Sequence, residues 1–328
     1  MNGEFEYIRA DDVATAVALV SADPAAHYLA GGTTQVDLLL KDGVLSSDRL
    51  VDITRLPLRG ISRRGDILLV GALTTMEELA ADPGLGERAG FVRAALLAGA
   101  SPQLRNMATI GGNLLQRTRC RYFRDPAVAE CNKRAPGSGC AAIKGPARMH
   151  AILGASEHCI ALHASDLCVP LVALDTLVHI LGVDGERSVP LTELYRVPGD
   201  RPDLETVLAH GDLITAIEIP LLRSNAGSAY VKVRDRASYE FALTSAAAAL
   251  TVEHGVVTEA RLALGGVGTV PWRARAAEEL LLGGGPSGAA FRAAAAAAIV
   301  DPFTVPGTAF KVKLAKGTIV RALETAAA

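Results

Sequence analysis

The 328-residue sequence is short of aromatic side chains: seven Phe, six Tyr and one Trp make up 4% of the chain. Half of its residues are hydrophobic all the same, so Ala, Leu and Val must do most of the packing. A surplus of charge is missing too. The formal net charge of −2 gives no global reason to expect nucleic acid. No apolar run reaches the ~18–20 residues that span a bilayer, so no membrane span is expected. Met1-Asn2-Gly3-Glu4-Phe5-Glu6 has neither a basic start nor an apolar segment, which predicts a cytoplasmic chain by its own sequence. No Gly-Lys-Ser or Gly-Lys-Thr follows a glycine turn, which excludes a P-loop. Gly266-Val267-Gly268-Thr269-Val270-Pro271 puts proline where a Rossmann fingerprint needs its third glycine. No internal repeat is present.

Two glycine turns stand out. The first is Gly31-Gly32-Thr33-Thr34-Gln35, between a strand expected near residues 27–30 and a helix expected at 36–40. Glycine allows close approach, Thr hydroxyls donate, and helix N–H groups face an anion. An ordinary tight turn uses the same glycines. The second, Thr109-Ile110-Gly111-Gly112-Asn113, follows about eighty residues later, and two such turns suit a diphosphate held from both sides.

Cysteine is absent from most of the chain. All five lie in one window, at Cys120, Cys131, Cys140, Cys159 and Cys168. The gaps of ten, eight, eighteen and eight residues contain no Cys-x-x-Cys and no ferredoxin run. Eight cations (Arg117, Arg119, Arg121, Arg124, Lys133, Arg134, Lys144 and Arg148) surround them, against Asp125 and Glu130. Such neighbours are expected to favour thiolate, the metal-binding form. Pro126, Pro136, Gly137, Gly139, Gly145 and Pro146 argue for a long irregular loop that a metal could order. Structural zinc, with His150, His158 or His163 as further ligands, and an iron–sulfur cluster stand level on these residues alone, both ahead of disulfides; ordinary buried thiols are the competing reading.

Periodicity predicts helices at 11–22, 75–81, 87–98, 167–174, 273–282, 287–298 and 316–326. Strands are expected at 50–53, within 60–73, and at 160–163, 177–183, 187–189, 213–220, 229–233, 245–253, 256–258 and 261–264. Asp166 is a candidate helix cap. Residues 223–227 read as a link between domains.

One ordered series carries a resemblance: Ala30-Gly31-Gly32-Thr33-Thr34, Ala108-Thr109-Ile110-Gly111-Gly112-Asn113-Leu114, Ser165-Asp166, Ile217-Glu218-Ile219-Pro220, Tyr230-Val231-Lys232-Val233 and Gly266-Val267-Gly268-Thr269-Val270-Pro271-Trp272-Arg273. The chain resembles the FAD-binding subunit of the xanthine dehydrogenase family of molybdenum hydroxylases. Arg119-Cys120-Arg121-Tyr122-Phe123-Arg124, Cys131-Asn132-Lys133-Arg134, Pro136-Gly137-Ser138-Gly139-Cys140 and His158-Cys159 are similar to the 4Fe-4S-bearing branch found in bacterial periplasmic aldehyde oxidoreductases.

The resemblance implies an α+β fold: a two-lobed FAD-binding domain of the vanillyl-alcohol-oxidase (PCMH) type over 1–223, with the cluster loop at about 117–160, then a CO dehydrogenase flavoprotein C-terminal-like α+β domain over 227–328. It implies that Leu29, Ala30, Gly31, Gly32, Thr33, Thr34 and Gln35 wrap the FAD diphosphate, with Thr109, Gly112 and Asn113 closing from the second turn and Arg119 nearby. Asp166 would bind a polar part of FAD, Ile214 would touch it, and Lys232 would place a positive charge near the flavin. Cys120, Cys131, Cys140 and Cys159 would ligate one 4Fe-4S cluster, leaving Cys168 in the core. No catalytic acid–base set is implied.

The function implied is electron transfer, from 2Fe-2S centres of a small partner subunit to FAD and on to an external acceptor, with substrate oxidised in a large molybdenum-cofactor subunit. Co-export on a partner's twin-arginine signal would then place the chain in the periplasm. Two rivals remain: a self-sufficient FAD oxidase of the same fold, and a non-catalytic zinc-stapled interaction protein.

Overall fold

The computed structural model describes residues 5–328; Met1–Glu4, part of the N-terminal stretch without a signal pattern, lie outside the described residues. Three sheets organise the chain. The first is a small parallel sheet of β1 (Glu6–Arg9), β2 (Ala26–Leu29) and β3 (Arg49–Asp52), with β3 in the middle. Parallel strands need crossovers: the helix Val13–Ser21 carries the chain from β1 to β2, and residues 30–48 bring it back to β3 between them. Asp12 caps it by accepting from the Thr15 N–H, and Ala16, Val17 and Val20 turn inward.

The second sheet is antiparallel, in the order β4 (Ile61–Arg64), β5 (Ile67–Gly71), β8 (Leu213–Pro220), β6 (Leu177–Gly182), β7 (Gly185–Pro190). Period-2 burial is plain in β5, where Leu68 and Val70 face the core, and in β8 at Ile217 and Ile219. The chain leaves this sheet after β5 and re-enters it at β6, the two strands that flank β8 on either side. That excursion, residues 72–176, contains the second glycine turn and four of the five cysteines ahead of the helix Cys168–Ala173, so both hang from the middle strands of the sheet.

The third sheet, β9 (Ala226–Val233), β10 (Thr244–Glu253), β11 (Val256–Gly265) and β12 (Trp272–Arg273), has β10 at its centre. Ala246, Ala248 and Leu250 face the helices Gly288–Ala298 and Phe310–Ala327, while Ala247 and Ala249 join the core shared with β5 and β8. Burial on both faces explains an alanine-rich strand despite alanine's weak β propensity: small side chains let layers close in from either side. At Gly227 a Cβ would stand 2.0 Å from the Ala326 carbonyl oxygen, so the last helix lies directly on β9.

Several expectations need correction. Residues 160–163 form no strand; the Ile160 carbonyl accepts from Ala151 and the His163 N–H donates to Gly268, partners too scattered for a ladder. The helix expected at 87–98 is two, Pro83–Arg88 and Gly90–Ala98, broken at Ala89 with φ −149°. Trp272 and Arg273 pair with β11, so the next helix starts at Arg275. The strands read at 256–258 and 261–264 are one, β11. Ala226 and Gly227 of the supposed link belong to β9, and the last helix begins at Phe310. Among the described residues no helix is long and apolar enough to cross a membrane.

Candidate FAD cavity and cysteine loop

The turn after β2 begins with two glycines doing different jobs. A Cβ on Gly31 would lie 1.9 Å from the Met107 carbonyl oxygen, so only glycine lets this backbone rest on residues 107–108. Gly32 has φ +71°, the left-handed region that sends the chain into the short helical turn Asp37–Lys41. Its carbonyl accepts from the Val36 N–H at 2.9 Å.

The second turn is tied to β5. Gly111 N–H donates to the Ala72 carbonyl at 2.8 Å, and a Cβ there would press within 3.0 Å of the Ala72 Cβ. Thr109 caps the short helix Ile110–Leu114, its hydroxyl oxygen accepting from the Gly112 N–H at 3.2 Å. Asn113 is also engaged within the protein: its Oδ1 accepts from the Ser165 hydroxyl at 2.6 Å and its Nδ2 sits 3.2 Å from the Met76 sulfur.

The two turns therefore abut, and a cavity of about 690 Å³ opens over their junction. Ala30, Gly31, Gly32, Thr33, Thr34, Gln35, Thr109, Gly112, Asn113, Arg119, Asp166, Ile214 and Lys232 all line it. Leu29 does not; it belongs to β2, and its Cδ1 packs beneath Gly32. Sequence reading missed the C-terminal contribution of Tyr239, Glu240 and Phe241, as well as Met76, Leu104 and Asp212. The first three sit in an aperiodic segment with no local signal, brought over the cavity by the β9–β10 connection.

Two polar groups in this wall are buried without a partner: Gln35 Nε2 and Arg119 Nε. The Arg119 guanidinium lies 5.2 Å from the Phe241 ring, and Nη1 is 3.5 Å from Asp37. Burial, then nearby Arg124, lowers its pKa to about 10, so it stays charged at neutral pH but under-compensated. Unmade hydrogen bonds at buried donors are costly. A dinucleotide diphosphate would supply the acceptors and charge they lack.

Asp166 does not cap the helix that follows. That role passes to Ser165, whose Oγ accepts from the Cys168 N–H. Asp166 instead pairs with Lys232 Nζ at 2.8 Å and accepts from the Tyr230 hydroxyl at 2.5 Å. Burial pushes its carboxyl pKa up, against the pull of Lys232. Lys232 also donates to the Ala98 carbonyl at 2.9 Å, as Arg234 does at 3.2 Å, locking this wall of the cavity to the helix Gly90–Ala98.

The cysteine loop is ordered by its polar side chains. Buried Asn132 receives the Gly139 N–H at 2.8 Å and donates to the His158 carbonyl at 3.0 Å, so the residue beside Cys131 holds the neighbours of Cys140 and Cys159. Arg134 donates to the carbonyls of Tyr122, Phe123 and Asp125. Arg124 reaches Asp37 at 2.7 Å and Asp42 at 2.6 Å, joining the loop to the first turn. Cys131 and Cys140 form an antiparallel bridge.

Burial works against the thiolate form at two of the four cysteines. Burial, augmented by Cys159 and Cys131, raises the Cys120 thiol to about 12, and burial raises Cys159 to about 11. Three cations of the loop are spent elsewhere, Arg117 on Glu205, Arg124 on Asp37 and Asp42, Arg148 on Asp235, while Lys133 still pulls the Cys159 thiol down against burial. For those three arginines, only proximity in sequence suggested a partnership with the sulfurs. Among the described residues no group of three or more His, Cys, Asp or Glu is placed to hold a metal ion, a finding that supports neither zinc nor a cluster. Cys168 lies apart in the core, its sulfur 3.2 Å from the Tyr195 hydroxyl.

A two-sided glycine cradle with unpaired donors, closed by a separate α+β sheet, defines a dinucleotide-binding protein in which both parts of the chain build one cavity. Residues 3–222 match the FAD binding domain in molybdopterin dehydrogenase, and residues 228–326 match the CO dehydrogenase flavoprotein C-terminal domain. The chain belongs to the FAD-binding subunits of the xanthine dehydrogenase and CO dehydrogenase family of molybdenum hydroxylases, and is an oxidoreductase subunit. It is 41% identical over 279 residues to the aldehyde oxidoreductase FAD-binding subunit PaoB of Escherichia coli, covering 84% of this chain and 86% of that one. It is 27% identical over 281 residues to the carbon monoxide dehydrogenase medium chain of Afipia carboxidovorans, covering 85% and 80%. A chain of cyanide-inactivated Cu,Mo-CO dehydrogenase superposes with a TM-score of 0.77 at 27% identity, over 100% of this chain and 99% of that one.

Proposed function

We propose that this chain is the electron-transfer subunit of a three-subunit aldehyde oxidoreductase, holding FAD in the cavity and one 4Fe-4S cluster on Cys120, Cys131, Cys140 and Cys159. Its partners are a large molybdenum-cofactor subunit, where aldehyde is oxidised, and a small subunit with 2Fe-2S centres. The observation that carries this reading is the contact of the two glycine turns at Gly31 and Met107 over a single cavity. The 41% identity to an aldehyde oxidoreductase FAD-binding subunit supports the substrate class.

Bound FAD supplies the chemistry: it accepts electrons singly from iron–sulfur centres and releases them in pairs to an acceptor. The protein supplies placement. Residues 31–35 and 109–113 flank the diphosphate, Gln35 and Arg119 donate to it, and Asp166 and Ile214 wall the rest. Lys232 keeps Asp166 fixed, and Phe241 with Tyr239 limits water on the open side. Four cysteines are the ligand set that a 4Fe-4S cluster takes. Cys120 interacts electrostatically with Cys131 and Cys159, and Cys159 with Cys140 and Cys131, which supports one shared site for the four thiols. Such a cluster would be held by the four as thiolates and would supply a one-electron redox centre.

The test is anaerobic purification of the complex with flavin and iron analysis, followed by stopped-flow mixing with an aldehyde. Flavin that bleaches only when all three subunits are present supports the proposal. Turnover by the chain alone would favour the self-sufficient oxidase, and a colourless zinc protein would end both readings.

A further inference from the structure

His150 is one of the few histidines buried in the molecule, at 4% exposure, and the cavity and electron-transfer roles make no use of it. Its Nε2 lies 3.2 Å from the Cys120 sulfur. Among the described residues it is the one side chain within hydrogen-bond distance of any of the four proposed ligand sulfurs; the Cys159 sulfur is approached by a backbone group, the Ala161 N–H at 3.4 Å.

The placement is built from both parts of the chain. The His150 N–H donates to the Ala147 carbonyl at 2.9 Å, and its own carbonyl accepts from Lys311 Nζ at 2.8 Å. Lys311 is fully buried, comes from the last helix, and also donates to the Gly266 carbonyl at 2.7 Å. The Tyr122 ring, 6.0 Å away and tilted by 42°, covers one side of the imidazole. These main-chain bonds and burial fix the residue, and with Nδ1 unpartnered, Nε2 is the ring nitrogen that reaches a polar neighbour.

We propose that His150 donates a hydrogen bond from Nε2 to the Cys120 sulfur and so raises the reduction potential of the cluster. The inference rests on the reading that the four cysteines carry a 4Fe-4S cluster. A ligating thiolate has no proton to give, so it selects the imidazole tautomer with its proton on Nε2. Hydrogen bonds to cluster sulfurs are among the levers that set the potential. One electron added to the cluster increases the negative charge on sulfur, which strengthens an N–H···S bond, so the donor favours the reduced form.

The test is potentiometric titration of the full chain, purified anaerobically, followed by electron paramagnetic resonance. Wild type should hold about four irons per chain. His150→Leu, which keeps bulk but removes the donor, should shift the reduction equilibrium toward the oxidised cluster by about three- to tenfold, a tenfold change being 59 mV for one electron. His150→Gln, which can still donate, should fall nearer wild type. Wild type without iron would overturn the cluster reading and this inference with it. A loaded His150→Leu chain at the wild-type potential would overturn the inference and leave the cluster standing. If His150→Leu does not load, histidine labelled with ¹⁵N decides: coupling to the reduced cluster in wild type that disappears in His150→Gln supports the bond, and no coupling in wild type refutes it.

Discussion

A Cβ placed on Gly31 would sit 1.9 Å from the carbonyl oxygen of Met107. Backbone thus rests on backbone where the two turns meet, and the cavity depends on a missing side chain. Gly31→Val must push the turns apart. We expect a stability loss of about 2–4 kcal/mol and a chain that purifies with little flavin, read from the 450 nm to 280 nm absorbance ratio and the Tm. Normal flavin content in a folded variant would show that the turns do not jointly hold FAD.

Arg119 is a buried cation with an unpartnered Nε beside that junction. Arg119→Met should therefore separate two effects. The FAD-free chain should be as stable as wild type or slightly more so, since an under-compensated charge is gone. FAD affinity should fall about ten- to a hundredfold, measured by flavin fluorescence quenching. Equal affinity would remove Arg119 from the diphosphate site.

Lys232 and Asp166 are both nearly dry, with side chains 4% and 9% exposed. Lys232→Met leaves a buried carboxylate unpaired and should cost about 3–5 kcal/mol. Lys232→Met combined with Asp166→Asn should recover part of that loss, visible as a higher urea midpoint than the single variant. Additive losses would mean that the two side chains act independently.

Replacing Cys120, Cys131, Cys140 or Cys159 by Ser should lower iron content, whereas Cys168→Ser, in a helix with its sulfur on Tyr195, should not. Equal iron loss from the Cys168 change would show that the wrong four had been chosen. Asn132→Ala should loosen the same loop, reducing iron retention while flavin content stays near wild type, because its two bonds join cysteine segments and not the cavity.

His163 is enclosed, its ring 4.6 Å from that of Tyr195, and burial lowers its pKa to about 4. The unfolded chain takes up a proton at its ordinary value near 6.5, while the folded chain resists until about 4. Stability from this group is thus intact above the unfolded value and declines as pH falls through the window between the two. The loss is at most on the order of 3 kcal/mol. His163→Phe should flatten the fall in Tm between pH 7 and 4; an unchanged slope would assign acid lability to other groups.

Much of this architecture was legible along the chain. β8 falls at the residues its alternation predicts, both turns announce themselves by paired glycines, and the cysteines mark their own loop. These are local properties, fixed by backbone sterics and by side-chain period within a few residues. The misreadings have a common cause. The arginines around the cysteines looked like thiolate partners, but Arg117 is committed to Glu205 and Arg124 to Asp37, more than eighty positions away. Asp166 looked like a cap until Lys232, sixty-six residues on, claimed its carboxylate.

Sequence by itself determined where the turns, strands and sulfurs would be, because glycine conformations and apolar periods are settled within a few residues. Only the tertiary structure decided which groups meet: that Gly31 touches Met107, that Phe241 covers Arg119, and that Lys311 of the last helix fixes His150 beside Cys120. Charges and donors choose partners by distance and burial in space, and neither is written in the order of residues.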